Sequence, residues 1–253
     1  MLGSVPRVVL VVTLITVSRL ALIVPVVGLL LARTAMPLLW ALVVLNLLEL
    51  TDIADGLVAR RDGTVSDLGK LLDPLVDSLT HFALFAAFVV MGLVPVWLLV
   101  VLFFRDMLVA YMRSLAASRG MVVMARWSGK TKTAFQVAGG LLVTLALVAE
   151  AGRTGAPEDL AAWFGPPLAG VLAAVGFLAA LRLWDPILLV IALAGAAQCG
   201  VLYWVWAARP AIPAGDVASW VAYVVAAVTV LSLADYAWAV REPLIAAFER
   251  RER

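Results

Sequence analysis

Charge is scarce in this sequence. Of its 253 residues only 14% are Asp, Glu, Lys or Arg, while 64% are hydrophobic, a balance that excludes both an ordinary soluble globule and a disordered chain. Nineteen basic against 17 acidic residues leave a formal charge of +2, so no basic excess points to nucleic acid and no acidic excess to a solvating tail. Cysteine is nearly missing as well. The lone Cys199 lies in an apolar run and cannot form an internal disulfide or a cysteine-ligated metal cluster.

What the sequence has is apolar length. A membrane-spanning helix needs roughly 20 such residues, and runs of that kind fall at about 8–32, 36–59, 70–93, 95–118, 132–150, 160–181, 185–208 and 217–240. The expected fold is therefore an all-α integral membrane protein of about eight spans, one membrane domain over 1–253, without internal repeat or soluble domain. Arg19 divides the first run and no small-residue cleavage site follows, so that run is expected to be retained rather than removed as a signal peptide. With the N-terminus in the cytoplasm, thirteen Lys and Arg fall on the cytoplasmic side and only Arg33, Arg153 and Arg209 on the other. Both termini are expected inside.

Charged side chains in spans are costly and point to function. Six of the 17 acidic residues fall between Asp52 and Asp77. Asp52 and Asp55 are spaced i, i+3 and Asp73 and Asp77 i, i+4, so each pair shares a helix face. The short polar turn between the second and third spans brings the two pairs to one depth, facing each other. Four carboxylates so gathered repel unless a cation joins them. All-oxygen ligation selects a hard ion such as Mg²⁺ or Mn²⁺, and two ions can clamp a phosphate between them. Gly56, Ala59 and Gly69 are small enough to let a ligand approach, and Arg60 offers a fixed cation.

Written out, the segment is Asp52-x-x-Asp55-Gly56-x-x-Ala59-Arg60, eight residues, Gly69-x-x-x-Asp73-x-x-x-Asp77. All eight fixed positions resemble the signature of the CDP-alcohol phosphotransferase (CDP-alcohol phosphatidyltransferase) family. The resemblance implies a six-helix membrane core, usually dimeric, over 8–150 and the last span 217–240, so that 153–210 becomes an additional hydrophobic hairpin. It implies Asp52, Asp55, Asp73 and Asp77 as ligands of two Mg²⁺ or Mn²⁺ ions, Asp77 also as general base, and Gly56, Ala59, Arg60 and Gly69 at the CDP site.

A second stretch bears on the acceptor. Arg105-Asp106, Arg113 and Gly129-Lys130-Thr131-Lys132-Thr133 are similar to elements of the phosphatidylglycerophosphate synthase branch. Arg105, Arg113, Lys130 and Lys132 then become candidates for holding an acceptor that already bears a phosphate. The implied reaction is attack by a hydroxyl of sn-glycerol 3-phosphate on CDP-diacylglycerol at the cytoplasmic face of the cell (inner) membrane, with CMP leaving. Two features depart from the branch. Ser78 follows the fourth aspartate where Lys is common, and Thr13 replaces Asn ahead of Thr16 and Arg19. His81, the only histidine, stands four residues beyond Asp77 and is expected to pack structurally, with tuning of Asp77 or phosphate binding as alternatives. Within the family the rival acceptor is inositol phosphate. Outside it, the rival is a cation or proton transporter, which predicts carboxylates near the midplane and inverted repeats.

Overall fold

The computed structural model describes the backbone of residues 7–61, 67–117, 127–155, 163, 165–171 and 186–249, and side chains over 18–51, 74–116, 127–153, 163, 165–171, 195 and 197–241. Every regular element among them is helical: α1 (Arg7–Leu31), α2 (Ala35–Arg61), α3 (Asp67–Val90), α4 (Val96–Ala117), α5 (Trp127–Gly155), α6 (Pro186–Ala208) and α7 (Ala214–Glu249), with a further helical stretch at 165–171. Most expected runs coincide with helices to within a few residues. Three boundaries differ, among them the end of α5, expected at 150 and found at Gly155. The helix expected from 132 begins at Trp127, and the one expected to stop at 240 continues to Glu249, because hydropathy counts end at the first charged residues whereas backbone hydrogen bonding continues through them. Of the run expected at 160–181, only 163 and 165–171 lie within the described residues.

Trp127–Arg153 and Ala214–Arg241 are long and apolar enough to cross a membrane, and Ser18–Leu31, Ala35–Thr51 and Pro74–Val90 are shorter apolar stretches among the described residues. Side-chain bonds fix the helix directions. Arg19 meets Asp77 and the Arg33 guanidinium donates to the Met91 carbonyl, with 58 positions separating each pair, so α1 and α3 run parallel. Glu49 lies beside His81, which turns α2 against both. Ser128 bonds Asp235 at one end of α5, and at the other Glu150 accepts the backbone N–H of Ala214 at 3.0 Å. These two contacts make α5 and α7 antiparallel, and the Glu150 carboxylate satisfies an otherwise orphaned first-turn donor of α7. The Trp163 indole donates to the Leu202 carbonyl at 3.1 Å while Val171 packs near Gly195, so 163–171 and α6 form an antiparallel pair.

The core lies where α1, α2, α3, α5 and α7 converge. Leu38, Leu42, Leu45 and Leu48 bury one stripe of α2 in a cluster that also holds Phe85 and Phe88 of α3 and Val143 and Leu147 of α5, the i, i+3/i+4 spacing that helix faces require. Helices approach closely at α5. A Cβ at Gly139 would fall 2.7 Å from Val221 of α7, and one at Gly140 2.6 Å from Leu84 of α3. Such small residues let helices pack where no water drives them together. Between α3 and α4 the chain turns at Gly92, whose φ of 74° follows a Leu93 N–H to Phe88 carbonyl bond, the geometry of a glycine-terminated helix.

Exposed aromatic rings gather at two levels. Trp97, Trp220 and Tyr223 mark one end of the bundle; Tyr111, Trp127 and Trp238 mark the other. Eighteen positions separate Trp220 from Trp238 on α7, about 27 Å of helix, close to the thickness of a hydrocarbon core with its interfacial aromatic belts.

Candidate active site at one end of the bundle

The four-aspartate motif occupies the C-terminal half of α2 and the first turns of α3. Asp52, Asp55, Gly56, Ala59, Arg60, Gly69 and Asp73 are helical, and their side chains lie outside the described residues. Asp77 is described. Arg19 Nη2 stands 3.4 Å from its Oδ1 and His81 Nδ1 3.3 Å from the same oxygen. Arg19 is 1% exposed; a guanidinium in an apolar helix is tolerated only with a partner, and the carboxylate on the neighbouring parallel helix supplies one. His81 is also buried. Its Nδ1 lies 2.8 Å from the Asp77 carbonyl and its Nε2 3.7 Å from Glu49 Oε1. Glu49 sits one turn before Asp52, so this contact brings the motif-bearing end of α2 to the level of the motif-bearing start of α3.

A second polar cluster lies at the same end. Lys132 Nζ donates to both oxygens of Asp106, at 2.9 and 3.0 Å. Arg105 Nη1 reaches Asp106 Oδ1 at 2.9 Å, and its Nη2 donates to Ser232 Oγ at 2.8 Å. The Ser78 hydroxyl of α3 approaches the same carboxylate, which ties this cluster to the residue after Asp77. Nearer the end of the bundle, the Ser128 hydroxyl donates to Asp235 at 2.6 Å. Arg113 Nε lies 3.3 Å from the Tyr236 hydroxyl, with its guanidinium 5.5 Å from the ring centre.

The four cations expected to hold an acceptor phosphate thus occupy three environments. Arg105 and Lys132 share Asp106, and Arg113 rests on Tyr236. Lys130 points away, exposed, with its ammonium 5.0 Å from the Trp127 ring. Lys130 and Lys132 thus have different surroundings. Because α5 starts at Trp127, positions 130 and 132 are helical neighbours two apart, which cannot share a face.

The sequence marks Arg19 by its place in an apolar run, and the motifs do not include Glu49, Ser128, Ser232, Asp235 or Tyr236. A signal existed for the last three. Ser232, Asp235 and Tyr236 stand at i, i+3 and i+4 in an otherwise apolar run, the spacing that faces one neighbour.

Comparison with known proteins agrees with the motif. A family model described as CDP-alcohol phosphatidyltransferase matches residues 9–181, ending before α6 and α7. A CDP-diacylglycerol–glycerol-3-phosphate 3-phosphatidyltransferase of Bacillus subtilis (strain 168) is 39% identical over 87 residues, 34% of this chain and 45% of that protein. One of the same name from Treponema pallidum (strain Nichols) is 35% identical over 99 residues, 39% of this chain and 45% of that protein. A Mycobacterium bovis protein provisionally named a cardiolipin synthase is 37% identical over 128 residues, 50% of this chain and 60% of that protein. The chain therefore spans about half the length of the curated relatives it matches.

Proposed function

The chain belongs to the CDP-alcohol phosphatidyltransferase family, and on that premise we propose that it transfers a phosphatidyl group from CDP-diacylglycerol to sn-glycerol 3-phosphate and releases CMP. The observation that carries this reading is the intact eight-position motif on α2 and α3, with its fourth aspartate clamped at one end of the bundle by Arg19 and His81. The names of the Bacillus and Treponema relatives support the choice of acceptor.

The donor set fits divalent metal. Asp52, Asp55, Asp73 and Asp77 offer only carboxylate oxygens, the ligands hard cations prefer, and the Glu49–His81 contact supports a common level for the two pairs. Bound Mg²⁺ or Mn²⁺ would neutralise phosphate charge in the transition state. The chain's own residues do the rest. The family motif assigns Gly56, Ala59, Arg60 and Gly69 to the CDP moiety, while Arg113, with Arg105 and Lys132 deeper, would offer donors to the acceptor's phosphate. Asp77 takes the proton from the attacking hydroxyl, a role that contributes typically about 10²–10⁴-fold.

We read the bundle as about eight spans, a six-helix core of α1–α5 and α7 with 163–171 and α6 as an inserted hairpin, working as a homodimer. The site faces the cytoplasm, where CDP-linked donor and water-soluble acceptor meet. The charge asymmetry of the connections supports this orientation. Single cysteines in a Cys199→Ala background test it: an impermeant thiol reagent should leave position 64 unlabelled in intact cells, and labelling from outside would reverse the topology.

A lipid alcohol is the second reading, favoured by the longer match to the mycobacterial protein and by the pairing of Arg105 and Lys132 with Asp106. Release of CMP by the purified protein from CDP-diacylglycerol, measured with glycerol 3-phosphate, inositol phosphate and phosphatidylglycerol in turn, separates the readings. Glycerol 3-phosphate should give the highest kcat/KM. Preference for phosphatidylglycerol or inositol phosphate would move the assignment within the family, and no CMP release with any acceptor would sink it.

A further inference from the structure

We propose that Glu49 and His81 act as a positioning pair for Asp77, fixing the orientation of the carboxylate that takes the proton. This rests on the reading of Asp77 as proton acceptor given above. His81 is 2% exposed and one helical turn beyond Asp77. Its Nδ1 lies 2.8 Å from the Asp77 carbonyl oxygen. A carbonyl only accepts, so Nδ1 carries the hydrogen. The same N–H faces Asp77 Oδ1 at 3.3 Å, and Arg19 Nη2 approaches that oxygen from α1 at 3.4 Å.

Among the described residues both contacts converge on Oδ1, one from the carboxylate's own helix and one from its parallel neighbour. Rotation of the carboxylate is thereby restrained. The imidazole must itself be held, and α2 does this. Glu49 Oε1 stands 3.7 Å from Nε2, an electrostatic contact beyond hydrogen-bond reach, so the ring keeps its Nδ1 bond to the Asp77 carbonyl only while Nε2 faces the Glu49 carboxylate. Glu49 is three residues before Asp52 and projects from nearly the same side of α2. A slip of α2 along α3 that would separate the two aspartate pairs would also break the Glu49–His81 contact.

The test uses the full-length protein and CMP release at saturating CDP-diacylglycerol and glycerol 3-phosphate, with Asp77→Asn as reference. His81→Ala should lower kcat roughly ten- to hundredfold, the loss expected from a misplaced reacting group, with KM for both substrates little changed. His81→Asn, whose amide nitrogen takes the place of Nδ1, should recover most of that loss; His81→Gln, which mimics Nε2, should not. Glu49→Ala should lower kcat in the native background but add nothing to His81→Ala, because both act through one route.

Three results would overturn the proposal. An unchanged kcat in His81→Ala beside an inactive Asp77→Asn removes the pair and leaves the Asp77 reading standing. A fully active Asp77→Asn removes that reading and the proposal with it. Equal turnover by His81→Asn and His81→Gln reduces His81 to packing, and this comparison decides the matter even if His81→Ala fails to fold.

Discussion

Lys132 of α5 chelates Asp106 of α4 with its ammonium, reaching both carboxylate oxygens within 3.0 Å from a position that is 3% exposed. Arg105 meets the same carboxylate, so one partly buried anion serves two cations. Removing a partner from a buried ion pair costs about 3–5 kcal/mol. Asp106→Asn leaves Arg105 and Lys132 facing each other, whereas Lys132→Met leaves the Arg105–Asp106 pair intact. Asp106→Asn should therefore melt well below Lys132→Met, and both below the native protein, in thermal denaturation in a single detergent. An Asp106→Asn protein with native melting would show that the cluster contributes nothing to stability.

The three environments of the cations give a graded expectation for the acceptor. Losing a charge-assisted contact worth roughly 1.5–3 kcal/mol weakens the interaction about ten- to hundredfold. Arg113→Ala should raise KM for glycerol 3-phosphate by that factor and leave KM for CDP-diacylglycerol near its native value. Lys130→Ala should do much less, since its ammonium rides on the exposed Trp127 ring. Arg60→Ala should show the converse of Arg113→Ala, acting on the CDP-lipid. Identical kinetic effects of Arg113→Ala and Lys130→Ala would mean that the two cations bind as one group despite their separation.

Metal dependence follows from the carboxylate donor set. Chelation should stop CMP release, and Mg²⁺ or Mn²⁺ should restore it. Asp52→Asn, Asp55→Asn and Asp73→Asn should each abolish turnover while the protein remains folded and monodisperse in detergent. Full turnover in excess chelator is the outcome that contradicts the two-metal reading.

Much of the fold could be read because the bilayer demands long uninterrupted apolar helices, and six of the seven named helices begin within three residues of the expected positions. The start of α5 could not. Trp127-Ser-Gly-Lys-Thr-Lys reads as a polar loop, and what makes it helix is tertiary: Ser128 bonds Asp235 and Lys132 bonds Asp106, partners 107 and 26 positions away. Helical spacing singled out the four aspartates, and the family resemblance implied their role. Arg19 announced its cost by lying in an apolar run, but its partner stands 58 positions on, and no local pattern names it. Glu49 was hidden for a different reason: a carboxylate beside a stronger acidic motif adds no new periodicity.

The glycines of α5 are not equivalent. At Gly139 an added Cβ meets Val221 at 2.7 Å and Val225 at 3.2 Å, both β-branched and stiff at χ1, whereas at Gly140 it meets the flexible tip of Leu84. Gly139→Ala should destabilise by about 1–3 kcal/mol through overpacking, and Gly140→Ala by less. Differential melting of the two variants checks this; equal losses would mean that α7 moves aside as readily as the Leu84 side chain.

The equal separation of the Arg19–Asp77 and Arg33–Met91 contacts makes α1 and α3 a pair of rulers with matched marks about 21 Å apart. One residue inserted into α1 between Arg19 and Arg33 would turn one mark by about 100° relative to the other, so only one clamp could survive. An equal insertion in α3 between Asp77 and Met91 would restore the match. Length change in this part of the chain is therefore tolerable only when it is paired, and the N-terminal helix is indexed to the candidate site by residue count as much as by residue type.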